Sequence, residues 1–108
     1  MRRVRIGGLR YRVELQQPVR TSDGGGGAAE IWDTVAELWA AVIPVRGEER
    51  ISAEAVSGEV THEVWIRHRT GVTPSMRFGL DGRVLDIRAV IPVDDGRRLK
   101  CLCLERSL

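Results

Sequence analysis

Residues 60–93, VTHEVWIRHRTGVTPSMRFGLDGRVLDIRAVIPV, decide the fold of this chain. Side chains in residues 60–70 alternate between two faces of an extended backbone, which is the period of a β-strand. One face carries Val60, His62, Val64, Ile66 and His68, and the other carries Glu63, Trp65, Arg67 and Arg69. Asp81-Gly82 then separates two further apolar runs. Both residues of Asp-Gly tolerate the positive φ of a type I′ turn, so the stretch predicts a strand followed by a β-hairpin.

The alternation continues on both sides of this stretch. Toward the C-terminus, the turn residues 94–96 (DDG) lead into a strand over residues 97–105. Toward the N-terminus, residues 11–17 alternate and predict a strand that ends at Pro18. Residues 31–45 predict a bent strand or a short helix running into one, with a strand over at least the second half.

Short strands of this kind bury their apolar faces best when the sheet closes or folds on itself, which also hides its edges. The sequence therefore predicts a mainly β fold. We expect a small antiparallel barrel or sandwich of five or six strands, with a long mobile loop and at most one short helix. At 108 residues, the whole chain (1–108) is expected to form one domain.

Two segments lack a strand pattern. Residues 21–28 contain four consecutive glycines and predict a mobile loop, since glycine has much backbone entropy to lose. The lysine and hydroxyl of a phosphate-binding loop do not follow these glycines. Residues 46–59 contain helix formers between glycines and predict the mobile loop of the domain. One or two helical turns, or disorder until a partner binds, both remain open for this segment.

Composition and charge narrow the function classes. The chain is 43% hydrophobic and 30% charged, as is usual for a soluble globular domain. Apolar runs long enough to cross a membrane or to follow Met1 as a secretory signal are missing, so synthesis in the cytosol without a membrane partner is expected. Residues 1–20 contain six arginines and one acid, whereas residues 21–59 contain eight acids and two arginines. This distribution favours oriented assembly with partners, although simple solvation of surface charge would also explain it.

Groups that carry catalysis are sparse. His62 and His68 would lie about 20 Å apart on one strand, too far to bind one zinc ion. Cys101 and Cys103 share a face of the last strand and predict free, buried thiols. We therefore predict no catalytic residue, no metal and no cofactor. The tryptophans, which are expected to anchor the core or an interface, are Trp32, Trp39 and Trp65.

Five segments in order carry a resemblance to a known family. They are IGGLRYRVELQQP (6–18), Trp32 with LWAAVIP (38–44), the loop GEE (47–49), HEVWIRHR (62–69), and an ending made of DGRVLDIRAV (81–90), Asp94, Arg97 and residues 99–105. Together they resemble the head-tail joining proteins, also called head-completion or stopper proteins, of long-tailed phages and gene transfer agents. The resemblance covers nearly the whole chain. The glycine run and the arginine-rich start depart from the family pattern.

The resemblance implies a structural virion protein, not an enzyme. It implies a β-barrel that assembles in the host cytoplasm as a homo-oligomeric ring below the portal and its adaptor. Such a ring closes the channel over packaged double-stranded DNA and offers a docking surface to tail-terminator and tail proteins. An adaptor or tail-terminator subunit of the same connector is the alternative within this class. A nucleic-acid-binding β-barrel is the alternative outside it, because 16 of the 17 basic residues are arginine.

By position in the family, residues 46–59 are the channel-closing loop. The loop residues singled out for this role are Arg46, Gly47, Glu48, Glu49, Arg50, Ile51, Glu54, Gly58 and Glu59. The acids of this loop are expected to repel DNA in the channel, unless the loop is only a solvated linker. Residues 1–10 are predicted to be a flexible basic arm that contacts a neighbouring subunit or DNA through Arg2, Arg3, Arg5 and Arg10.

Overall fold

The computed structural model describes residues 8–22 and 28–106, and within them antiparallel strands close into a barrel. The elements in chain order are β1 (Tyr11–Ser22), β2 (Ala28–Pro44), α1 (Gly47–Ser57), β3 (His62–Arg67), β4 (Arg77–Leu80), β5 (Arg83–Val93) and β6 (Arg98–Glu105). Around the barrel the strands follow the order β1-β2-β3-β6-β5-β4, and β1 pairs with β4 to close it. The predicted mainly β fold, with up to six strands and one short helix, is confirmed.

The barrel interior holds the main hydrophobic core. Its fully buried side chains include Val13, Leu15, Val64, Ile66, Phe78, Leu85, Ile87, Cys101 and Cys103. These residues come from five strands. Where a strand contributes two of them, they are two positions apart, as the sequence alternation predicts. Burying an aliphatic or phenyl side chain of this size contributes about 1.5–3 kcal/mol. The interior is therefore the main source of stability for the domain.

The turn between β4 and β5 has the predicted conformation. Asp81 and Gly82 have φ angles of 47° and 78°, so both central residues lie in the left-handed region. That backbone matches the right-handed twist of the flanking strands and sets their register. Phe78 consequently pairs with Leu85 across the hairpin.

The strands β1 and β2 extend well past the barrel, and this was not predicted. Among the described residues, β1 pairs with β4 only at residues 14–16, and β2 pairs with β3 only at residues 40–44. Beyond these points the two strands pair only with each other, up to Ser22 opposite Ala28. This two-stranded projection, which we call the hairpin arm, accounts for the elongated dimensions of 52 × 27 × 25 Å.

The prediction that the first strand ends at Pro18 was wrong. Pro18 lies inside β1 opposite Trp32. Proline removes one backbone donor, which is tolerated at the edge of a sheet, and the hairpin arm has no further strand beside it in the described chain. The predicted loop at residues 21–28 is also shorter than expected, since residues 21, 22 and 28 belong to strands. The rest of that loop, residues 23–27, lies outside the described residues.

The outer face of β3 is covered as well as the inner face. Glu63 and Trp65 point away from the core that holds Val64 and Ile66, yet they are only 8% exposed. Trp65 packs with Ala41 in a second apolar cluster outside the barrel. Alternation distinguishes the two faces of a strand but does not reveal what covers the second one.

Candidate assembly surfaces

The predicted loop at residues 46–59 contains helix α1, so the helical alternative is the one observed. Gly47 is the first residue of α1, and Gly58 follows its last residue. Their φ angles are 59° and 75°. Residues with a Cβ seldom adopt such angles, so these two glycines set where the helix begins and ends. The structure does not test whether the segment is mobile, and its mobility stays a prediction.

Among the described residues, few contacts hold α1 to the barrel. No residue of the helix is buried, and Ala53 packs only at the margin of a small cluster formed by Val45, Val60 and Leu102. Helices of this length are marginal in water without tertiary packing. The barrel core is therefore formed without α1, and the helix is a lightly attached element between β2 and β3.

Glu54 fastens the C-terminal part of α1. Its Oε2 accepts a hydrogen bond from the backbone N–H of Val60 at 3.2 Å and one from Nε of Arg50 at 3.3 Å. The hydrogen bond from Val60 and the neighbouring Arg50 lower the pKa of Glu54 below its ordinary value. The carboxylate of Glu54 therefore anchors the helix in this structure, and its predicted role in the channel stays a prediction.

The remaining charge of the segment lies near its two ends. Glu48 and Glu49 occupy the first turn of α1, where carboxylates stabilise a helix by about 0.3–1 kcal/mol through its dipole. Both are exposed, and so is Glu59 after the helix. Arg46 precedes the helix and is exposed too. The exposed charge of the segment is therefore acidic, with apolar Ile51 and Val56 between its ends.

A cleft separates α1 from the outer face of β3, β5 and β6. We call it the helix cleft, and its volume is about 660 Å³. It is lined by Glu48, Glu49, Ser52, Ala53, Val56 and Ser57 of the helix and by Glu63, Trp65, Ala89, Ile91, Lys100 and Leu102 of the strands. Its surface combines an apolar floor with three carboxylates and one ammonium group. A cleft of this size accommodates a peptide segment or a small ligand.

The hairpin arm exposes apolar side chains of its own. Val19 lies opposite Ile31, and they are 36% and 51% exposed. At the base of the arm, on the other face, Arg12 lies 5.1 Å from the ring centroid of Trp39, which is itself 54% exposed. A single pair of strands is marginally stable alone. This surface is therefore suited to further contacts with another protein chain.

The tryptophans have different environments. Trp65 is buried, as predicted for an anchor of the core. Trp39 is exposed, and Trp32 is partly covered by Arg77, whose guanidinium carbon lies 4.1 Å from the centroid of the Trp32 ring. The role of Trp39 as an interface anchor stays a prediction.

The predicted basic arm is only partly described. Arg2, Arg3 and Arg5 lie outside the described residues, whereas Arg10 is described and exposed. Leu9 packs against the cluster of Ala41 and Trp65. The first described residues therefore lie on the outer face of the barrel, at the cluster that contains Trp65.

A polar cluster joins three strands at one end of the barrel. Arg83 donates from Nε and Nη2 to the two carboxylate oxygens of Glu105, at 2.7 and 3.0 Å. His62 lies beside them, with Nε2 at 3.7 Å from Glu105 Oε1. Hydrogen bonding from Arg83 lowers the pKa of Glu105, and burial lowers the pKa of His62 more than the Glu105 charge raises it.

His62 is expected to make the fold sensitive to mild acid. Because the pKa of His62 in the folded chain is below its ordinary value of 6.5, the unfolded chain takes up the proton first. Stability should therefore decrease as the pH falls through about 6.5 toward the lower folded value. Urea unfolding between about pH 7 and about pH 5 should show a smaller decrease for His62→Gln than for the unaltered chain. The matched control is His68→Gln at an exposed site, and an equal decrease in all three would contradict the prediction.

Reactive groups do not converge in the described part of the chain. Cys101 and Cys103 are free and buried, as predicted, and burial raises the pKa of Cys101 to about 12. At such a value the thiol is inert as a nucleophile near neutral pH. A search of residues 8–22 and 28–106 finds no group of three metal-ligating side chains. The helix in this range is too short and too polar to cross a membrane.

Two features of these surfaces were not predicted from the sequence. The helix cleft depends on α1 lying over three strands that are distant in the chain, and no local signal indicates this. The sequence indicated the hairpin arm only in part. The pattern of residues 31–45 allowed a strand much longer than the part of β2 that belongs to the barrel. The predicted loop residues are brought together on α1 and its flanks.

Comparison with known proteins places the chain in a family. The family model for phage head completion proteins matches residues 4–106. The solution structure of protein SF1141 from Shigella flexneri 2a is 34% identical with a TM-score of 0.79, and the alignment covers 96% of this chain and 98% of that one. A chain of the virion of a native gene transfer agent particle is 28% identical with a TM-score of 0.69, and 98% of both chains is covered. None of the curated proteins matches significantly.

The family match spans almost all described residues, including the barrel, α1 and the hairpin arm. The solved relatives cover the same length, so the whole architecture is shared and not only a local motif. These findings confirm the resemblance inferred from the five sequence segments. The chain belongs to the phage head completion protein family.

Proposed function

We propose that this protein is a stopper subunit of the head-tail connector, forming a ring that closes the DNA channel after packaging. Family membership and the likeness to a virion chain of a gene transfer agent support a structural role in the connector. The assignment as a channel-closing stopper is supported mainly by one observation. Residues 46–59 form a lightly attached, acidic element between β2 and β3.

The light attachment of α1 suits a segment that moves. The helix buries no side chain, and Val45 and Thr61 are joined directly by a backbone hydrogen bond of 3.0 Å behind it. The barrel is therefore complete whether or not α1 stays in place. In the proposed ring, copies of residues 46–59 project toward the axis and meet there.

In this proposal, the negative charge of residues 46–59 helps to close the channel. Glu48 and Glu49 are exposed in the first turn of α1, and Glu59 follows the helix. Several copies around an axis would concentrate negative charge where DNA presses on the channel, and like charges repel more strongly in a narrow space with little water. Arg50 forms an ion pair with Glu54, so its positive charge offsets that carboxylate and reduces the negative charge of the other acids little.

The hairpin arm is the proposed contact between neighbouring subunits. Its outer edges lack a further strand in the described chain, Val19 and Ile31 are exposed on it, and Trp39 is exposed at its base. Heterologous contacts of this kind close a ring when the rotation between subunits permits. A strand edge and exposed apolar side chains supply such contacts.

The proposed partners follow from this position. The homo-oligomeric ring meets the portal or adaptor on the head side and the tail-terminator or tail proteins on the other side, with double-stranded DNA in the channel. Assembly is proposed to occur in the host cytoplasm before incorporation in the virion. Arg10 is exposed and is proposed to contact a neighbour or DNA together with Arg2, Arg3 and Arg5. No catalytic step is proposed.

Shortening the helical segment tests channel closure. Residues 47–57 are replaced by a flexible linker of about four residues, a length that commonly joins antiparallel strands. Because α1 buries no side chain, the barrel should still fold and particles should still assemble. We expect most of the packaged DNA to be lost, and nuclease-protected DNA per particle measures the loss.

A charge-neutral variant is the matched control. Glu48→Gln with Glu49→Gln keeps the length of the segment and should retain more DNA than the shortened chain, although less than the unaltered one. Full retention of DNA by the shortened chain would contradict the channel-closing role. Equal retention by the neutral variant and the unaltered chain would contradict the electrostatic part alone.

A further inference from the structure

Arginines gather where the end of β3 lies beside the start of β6. Arg67 pairs directly with Arg98 across these two strands. The backbone N–H of His68 donates to the carbonyl of Arg97 at 2.9 Å, so the chain after β3 continues beside the chain before β6. Arg69 is the next residue of that segment. We call Arg67, Arg69, Arg97 and Arg98 the arginine cluster.

The positive charge of this cluster is only partly matched within the described chain. Asp94 forms an ion pair with Arg98, whereas no carboxylate in residues 8–22 and 28–106 forms one with Arg67 or Arg97. Asp95, in the same turn as Asp94, is exposed. Like charges directly opposite each other on paired strands destabilise a sheet. An anion bound between Arg67 and Arg98 would therefore relieve their repulsion.

Two buried donors of the cluster lack an acceptor. They are Nε of Arg69 and Nη1 of Arg98, and in the part of the chain that the structure describes these are the buried side-chain nitrogens without a hydrogen-bond partner. Native proteins seldom leave a buried donor unpaired, because the loss of hydration is then not compensated. Both donors belong to the arginine cluster. This coincidence points to an anionic oxygen as the group that this end of the barrel accepts.

The guanidinium of Arg98 is positioned in advance by its neighbours. Its central carbon lies 5.4 Å from the ring centroid of Trp65, and Asp94 contacts it from the turn between β5 and β6. The side chain is only 12% exposed. A guanidinium held in this way loses little side-chain entropy when it binds an anion. Arg67 and Arg97 are exposed beside it and extend the surface that an anionic partner can contact.

The phosphate groups of double-stranded DNA fit this cluster better than the carboxylates of a protein. A guanidinium binds phosphate through two parallel hydrogen bonds. Double-stranded DNA carries one negative charge about every 1.7 Å along its axis, so several arginines meet phosphates in one contact. A protein partner would also need an apolar centre in its interface. The exposed side chains of the cluster, Arg67 and Arg97, supply charge and no such centre.

We infer that the arginine cluster binds the phosphate backbone of double-stranded DNA without sequence preference. Arg67 and Arg98 belong to strands of the barrel, so the surface is present in the isolated subunit and needs no ring. In the connector, the same surface would contact the DNA that passes through the ring, and this consequence alone rests on the proposed function.

Fluorescence anisotropy of a labelled duplex measures binding by the isolated chain. With a duplex of about 20 base pairs we expect a Kd of about 1–100 μM near ~50 mM salt. The logarithm of the binding constant should fall against the logarithm of the salt concentration with a slope of about −3 to −4, as for about four phosphate contacts. Arg67→Gln combined with Arg97→Gln should weaken binding about tenfold or more and make the slope shallower by about two.

The matched control removes the same charge elsewhere on the barrel. Arg88→Gln combined with Arg106→Gln alters two exposed arginines outside the cluster, and Arg106 lies at the opposite end of β6. We expect this variant to change the affinity for DNA by less than about twofold. Equal weakening by the two double variants would overturn the inference, because binding would then reflect net charge and not the cluster.

Changes in the turn test the role of Arg98. Asp94→Asn should tighten DNA binding by about threefold, because the guanidinium then no longer pairs with a carboxylate. Asp95→Asn is the control and should have a smaller effect. The φ angles of the two aspartates are 51° and 56°, a conformation that asparagine tolerates, so the turn should be retained. An equal gain from both variants would overturn the placement of a phosphate at Arg98.

Competition identifies the kind of anion. At equal ionic strength, unlabelled duplex should displace the labelled duplex far better than polyglutamate or inorganic phosphate does. Equal displacement by either competitor would overturn the inference, since the surface would then fit an acidic protein or a small anion. Absence of binding by the unaltered chain near ~50 mM salt would overturn it as well. These measurements use neither ring nor particle, so failure of DNA binding and failure of channel closure are distinguishable.

Discussion

Replacing Phe78 with alanine is expected to destabilise the domain by about 3–5 kcal/mol, the usual cost of removing a buried phenyl ring. Phe78 is 0% exposed in the barrel interior. It pairs with Leu15 of β1 on one side and with Leu85 of β5 on the other. The ring therefore lies at the seam where the barrel closes.

The effect should be large relative to the total stability. Domains of this size are stable by about 5–15 kcal/mol, so the loss is a large fraction of the free energy of unfolding. The short strand β4 holds the seam through only three paired residues of β1. The cavity therefore cannot be filled easily by a shift of β4 without loss of closure.

Urea denaturation of the isolated chain measures this loss. Tyr11→Ala is the matched control, because Tyr11 is an aromatic residue of β1 that is 49% exposed. We expect the control to cost about 1 kcal/mol or less, in the range of exposed substitutions. A loss below about 1 kcal/mol for Phe78→Ala would show that the seam does not depend on this ring.

Trp65→Ala is expected to cost a similar amount, about 3–5 kcal/mol, although Trp65 lies outside the barrel. The indole is 8% exposed and packs with Ala41, Leu9, Ile43 and Val93. Its Nε1 donates to Glu63 Oε1 at 3.0 Å. Truncation therefore removes apolar contacts and one donor to a buried carboxylate.

Trp65→Phe separates these two contributions. The phenyl ring keeps much of the packing but has no N–H for Glu63, so a loss of about 1–3 kcal/mol is expected. Trp39→Ala is the matched exposed control: its indole is 54% exposed and stacks on Arg12, a contact worth about 0.5–1 kcal/mol. If Trp65→Ala costs no more than Trp39→Ala in urea denaturation, the cluster outside the barrel contributes little to stability.

Local patterns predicted the strands because the information is local. Val64 and Ile66 stand two apart and face the core, and Asp81-Gly82 forms the turn with two positive φ angles. The prediction that the first strand ends at Pro18 was wrong, because a proline ends a strand only where a neighbouring strand needs the missing N–H. Whether a neighbour is present depends on where β4 pairs, and β4 is about 60 residues away in the chain.

The candidate surfaces were only partly predictable. Position within the family identified residues 46–59, and the helix formers between Gly47 and Gly58 indicated the helix as one alternative. The anchoring of Glu54 by the N–H of Val60 was not predictable, since any exposed acid of the segment could have filled that position. The helix cleft likewise needs the relative position of α1 and three strands.

Alternation, turn residues and apolar spacing, by themselves, determined that this chain forms an antiparallel β domain with its core on alternate side chains. These signals depend on residues that are close in the chain. Because apolar side chains are buried on one face, their spacing in the sequence directly shows the period of the strand. Only the tertiary structure decided that the strands close into a barrel, that β1 and β2 project beyond it, and that α1 lies across a cleft from Glu63 and Trp65. Those features follow from pairing and packing between distant segments, whose free energies depend on the complete fold.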